Sequence, residues 1–93
     1  MAHIGVRRRD VERFMSRFHV VVHEDGSSTE HDVTLSAADF ERLGANFRAP
    51  EDLVHAAFEF LLEREPKESI LPAFDVSVIS SYFPEFDQRI QGL

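Results

Sequence analysis

Phe18-His19-Val20-Val21-Val22-His23-Glu24-Asp25-Gly26-Ser27-Ser28-Thr29-Glu30-His31-Asp32-Val33-Thr34-Leu35 decides the fold. Its first six residues are rich in β-branched and aromatic side chains, which fit a pleated surface. Phe18, Val20 and Val22 share one face, because strand side chains alternate. Asp25-Gly26 is a strong two-residue hairpin signal. The return segment, Thr29 to Leu35, puts Val33 and Leu35 on one face and Glu30, Asp32 and Thr34 on the other. The stretch therefore predicts a β-hairpin over 18–35. A two-residue loop pairs Phe18 with Val33. A four-residue loop pairs Phe18 with Leu35, and it is preferred because it sets apolar against apolar. Either register keeps the same residues on the same face.

Further along the chain the period changes. Pro50-Glu51-Asp52 opens a stretch to Arg64 with apolar residues at helical spacing. Proline suits the first helical position, and the two acids favour the positive end of the helix dipole. Leu53, Val54, Ala57, Phe60 and Leu61 form a stripe. Phe58 and Leu62 widen it to about 200°, beyond the usual ~100°. Such a helix either sits centrally in the monomer or also meets a second subunit. A hairpin packed on a broad apolar helix at 50–64, with short flanking helices, makes the fold class α+β.

The flanks read as follows. Residues 1–6 are expected to be a flexible end. Arg7 to Ser16 suggests a short helix, with Val11, Phe14 and Met15 on one face. Ser36 is a good N-cap for a helix over Ala37 to Leu43, ended by Gly44 and Asn46. Pro66 stops the long helix, and 67–72 is a connector. Residues 74–83 fit two patterns. Phe74, Val76 and Val78 alternate like a strand, while Val76, Ile79 and Phe83 fit a helix capped by Asp75. Helix is the preferred reading, followed by a turn at Pro84 and a last short helix through Ile90. No repeat, linker or low-complexity tract divides the 93 residues, so one domain spans 1–93.

Composition limits the chemistry. There are no cysteines, which removes disulfides, thiolate nucleophiles and Cys-based metal sites. No signal peptide is visible, and no apolar run approaches the ~20 residues of a membrane span. The expectation is a cytoplasmic protein without a membrane role. The formal charge of −7 divides unevenly: residues 1–18 carry a surplus of three positive charges and the remainder ten negative ones. An acidic body repels phosphate backbones, so general nucleic-acid binding is disfavoured. Arg7, Arg8 and Arg9 form a basic arm that could contact an anion, although such runs are usually solvated.

No constellation carries catalysis. His19 and His23 lie ~13 Å apart along a strand. Glu30 and Asp32 fall on the same face across the hairpin, but a flat two-stranded face rarely gathers three metal ligands. Cross-strand His–carboxylate pairs are the better reading. His31 falls on the apolar face and is expected to be a buried structural histidine or a cap on the sheet's edge. His55 and Glu59 lack the second histidine of an H-E-x-x-H site. Ser27-Ser28 and Ser80-Ser81 lack a nucleophile-elbow context. Glu63, Glu65 and Glu68 around Arg64 and Lys67 read as a salt-bridged surface connector. No catalytic residue, metal ligand or cofactor is assigned, and the chain is read as not an enzyme. Phe74, Tyr82, Phe83 and Phe86 crowd the last twenty residues. With Phe58 and Leu62, those not needed for the core would form an apolar interface. The expected partner is a second copy, as a homodimer, or an unidentified protein.

Two resemblances bear on this. F-L-L-E-R-E-P-K-E-S-I-L (60–71) and V-I-S-S-Y-F-P-E-F (78–86) are similar to a family of small bacterial proteins described as uncharacterised. That likeness implies a bacterial cytosolic origin and carries no activity or site residues. Locally, His31 to Glu63 resembles a ribbon-helix-helix domain, in which one strand from each of two subunits pairs and two helices follow. It implies that Asp32, Thr34 and Ser36 take the outward places where the family reads bases. Asp32 departs from the basic or amide residue usual there, and the strand already has a partner in cis. An antitoxin-like nucleic-acid-binding regulator is therefore the alternative to a self-associating interaction module.

Overall fold

The computed structural model describes residues 2–92. Three long strands form an antiparallel meander: β1 (His3–Val11), β2 (Met15–Glu24) and β3 (Ser27–Ser36). Helices α1 (Ala37–Leu43) and α2 (Pro50–Leu62) follow. A 3-10 turn at Lys67–Ser69 leads into β4 (Ala73–Asp75), which lies parallel to β3. A second 3-10 turn at Val76–Val78 passes into α3 (Ile79–Tyr82), and α4 (Phe86–Gln91) follows. The sheet order is β1-β2-β3-β4, so the fold is α+β with a mixed four-stranded sheet.

The hairpin uses the short loop. Phe18 pairs with Val33, and Asp25 (φ 56°) and Gly26 (φ 77°) make the turn alone. Both residues take left-handed angles, as a type I′ turn requires, and that turn matches the twist of the strands. The four-residue loop, preferred on apolar matching, is thus overruled by turn geometry. Same-face packing supplies the apolar contact instead: Phe18, Val20, Val22, Val33 and Leu35 are all buried.

Residues 7–16 are not helical. His3–Val11 is a strand, paired from His3↔His23 to Val11↔Ser16, so residues 3–6 are part of the sheet rather than a loose end. Met1 of that end lies outside the described residues. The physical reason is the unpaired edge of β2, whose backbone groups need partners. Ile4, Val6 and Arg8 alternate inward at the strand period; of the apolar face of the helical reading, Val11 and Phe14 are left exposed and Met15 is half-buried in β2. Arg9 is the extra residue of a bulge between Arg8 and Asp10.

The helical predictions hold for α1 and α2. Ser36 Oγ accepts from Asp39 N at 3.0 Å, and Gly44 N–H donates to Phe40 O. A Cβ at Gly44 would come within 2.5 Å of the Phe40 ring, so the helix end has room only for glycine. The wide stripe of α2 is satisfied inside the chain. Phe58 lies between His31 and Phe74, at ring distances of 5.3 and 5.9 Å. Phe60 meets Phe83 and Phe86 edge-on at 5.9 and 5.1 Å. Residues 74–83 divide between both readings. Phe74 belongs to a strand beside Val33, Asp75 caps the 3-10 turn through Ser77 N, and the α-helix begins only at Ile79.

Candidate interaction groove

An apolar groove of about 160 Å³ opens beyond β4. Leu61 comes from the end of α2, Ile70 and Leu71 from the connector, Phe74 from β4, and Val78, Ile79, Tyr82 and Phe83 from the segment after it. Leu61, Ile70 and Ile79 are buried and form its base. Leu71 (43% exposed) and Tyr82 (67% exposed) stand at its rim, with Glu65 and Ser69 beside them. Leu71 is fixed by His31, whose Nδ1–H donates to the Leu71 carbonyl at 2.7 Å while Nε2 partners Thr29 Oγ1 at 2.8 Å. Asp32 N–H donates to Pro72 O at 2.8 Å and ties the same connector to β3. His31 is thus the buried structural histidine its place on the apolar face suggested.

The expected interface residues separate. Phe74, Tyr82 and Phe83 line the groove. Phe58 and Phe86 do not belong to any surface, since both are fully buried, Phe58 under β3 and β4 and Phe86 against Phe60. Leu62 is half-buried against the core and lies outside the groove. Sequence reading missed Leu71. Only its place two residues before β4, with its carbonyl held by His31, puts it at the rim.

Strand alternation divides the three consecutive arginines. Arg8 turns toward α2 and pairs with Glu51 in its first turn. Burial is the largest influence on Glu51 and opposes its charge, but the hydrogen bond from Arg8, a backbone hydrogen bond and the Arg8 charge together outweigh it and lower the carboxyl's pKa. Arg7 and Arg9 are exposed and have no ion-pair partner among the described residues. Arg8 is thereby engaged within the chain, while Arg7 and Arg9 stay in solvent.

The open face of the sheet holds a different cluster. His19 Nδ1 lies 3.0 Å from Asp32 Oδ1, and Nε2 lies 2.8 Å from Glu30 Oε1. An imidazole donates to both carboxylates only when it is charged. Asp32 first and Glu30 second accordingly raise the His19 pKa, and His19 lowers that of Asp32. Among the described residues, no group of three or more His, Asp or Glu is placed to hold a metal ion. His55 Nδ1 and Glu59 Oε1 lie 3.2 Å apart on α2. The acidic connector departs from a plain surface segment: Lys67 is buried, with its ammonium on Glu68 at 2.8 Å. Arg64 packs flat on Phe60, 3.6 Å from the ring centre. None of the described helices is long and apolar enough to cross a membrane.

No protein-family model matches the chain, and neither the curated proteins nor the solved structures contain a match to it.

Proposed function

We propose that this protein is a small, non-enzymatic interaction module that forms a homodimer through the groove beyond β4. The observation that carries this is the pairing of exposed Leu71 and Tyr82 over a buried apolar base. Large apolar side chains at the rim of a concave apolar surface mark contact sites. An aromatic at the centre of such a contact carries much of its energy. The proposal includes a bacterial, cytoplasmic setting, in keeping with the E-P-K-E-S-I-L and Y-F-P-E-F stretches and a chain without cysteine. The regulator reading is weaker. A ribbon-helix-helix domain leaves its strand for a second subunit, whereas β3 has β2 on one side and β4 on the other.

Light scattering across a concentration series tests it. A dimer that persists at high salt, and that Leu71→Asp or Tyr82→Asp reduces to a monomer, is the expected result. A wild-type chain that stays monomeric, or variants with unchanged mass, would overturn it.

A further inference from the structure

We propose that the occupant of the groove is the β1–β2 turn of the second copy, with Phe14 seated in it. This rests on the self-association reading. The large exposed hydrophobic residues among those described are Val11, Phe14, Leu71 and Tyr82. They fall into two pairs. Val11 and Phe14 (69% exposed) lie at the β1–β2 turn, and Leu71 and Tyr82 border a hollow. Each pair leaves apolar surface in water that the other could cover.

Size, charge and rigidity agree. A cavity of about 150 Å³ takes a benzene ring, and the groove measures about 160 Å³. Arg13 lies over the Phe14 ring at 5.1 Å and has no ion pair among the described residues. Glu65 at the groove's edge likewise has none. Seating Phe14 brings this unpaired cation to this unpaired anion, which fixes the orientation of the contact. The turn is also held in place. Glu12 N–H donates to Met15 O, and Ala37 N–H donates to Phe14 O, both at 2.8 Å. Phe14 is presented on ordered backbone, so little freedom is lost on docking. In a two-fold dimer the contact is made twice, each copy giving one ring and receiving one.

The test is complementation in the full-length chain. F14D lacks the ring, Y82D lacks the rim, and both positions are exposed, so the fold should survive; far-UV circular dichroism checks this. Sedimentation should show each variant alone as a monomer, with association weakened about thirtyfold or more. An equimolar mixture should recover a dimer, because intact Phe14 of one chain meets the intact groove of the other. A second pair reads the charges: R13E and E65R each weaken association, and together in one chain they restore it. If Y82D is monomeric while F14D dimerises like the wild type, the groove binds another segment and this inference falls while the module reading stands. A mixture that stays monomeric also overturns it. If F14D and Y82D both dimerise normally, or the wild type is a monomer, both readings fall.

Discussion

His19 shows how much one side chain can reveal about pH. Its ordinary pKa of 6.5 is raised, so its stabilising contribution is complete below 6.5 and is lost as pH rises through the raised value. The pKa of Asp32 is lowered from 3.8, so its contribution holds above 3.8 and fades as pH falls through the lowered value. The cluster is therefore strongest between those two limits. Cross-strand pairs of this kind are worth about 0.2–1 kcal/mol, or about 1–8 °C in a domain of this size. Replacing His19→Gln should lower the thermal midpoint at about pH 5.5 and change it much less at about pH 9. An equal loss at both values would contradict the charged bridge. This cluster was legible in the sequence, because period-two alternation places His19, Glu30 and Asp32 on one face in either register. Its exact partners were not, since they depend on the Asp25-Gly26 turn.

At the scale of elements, the helices were the readable part. Ser36 and Pro50 act locally, through a cap and a fixed backbone angle, and Gly44 through the room it leaves beside Phe40, four residues back. Strands at the sheet's margins were not readable in this way. β1 is a strand because β2 offers it an edge, and β4 is a strand because β3 does; no residue within either segment supplies that partner. His31 connects the two kinds of element by holding the 67–72 connector to the sheet. Replacing His31→Leu leaves the Leu71 carbonyl and the Thr29 hydroxyl without their partner at a part-buried site. The expected cost is about 1–3 kcal/mol, measured as a fall in the urea midpoint. Because Leu71 borders the groove, self-association should weaken in the same variant. A variant as stable as the wild type would show that the hydrogen bond contributes little.

At the scale of the whole molecule, periodicity gave the right apolar faces but not what covers each one. The broad stripe of α2 was compatible with a buried central helix or with a second subunit. Burial within the chain answers for Phe58 and Phe86, and leaves the surface to Leu71, Tyr82 and the β1–β2 turn. Charge is redistributed in the same way. The positive surplus of the N-terminus sits on an edge strand, where arginines discourage further strand pairing.

The parallel pairing of β3 with β4 has a consequence in time. The meander closes through short turns, but Thr34 and Asp75, which bond across the β3–β4 pair, are 41 residues apart in the chain. Closing a loop of that length costs about 3 kcal/mol in chain entropy, and β4 has only three residues to offset it. Its amides should exchange with solvent through a local opening, well before those of Val20 to Val22, which open only with the whole molecule. Equal protection of the two segments in hydrogen exchange would refute this. On the proposed reading, the groove would open before the centre of the sheet does, and a chain able to hold a second copy would be one whose β4 has already docked.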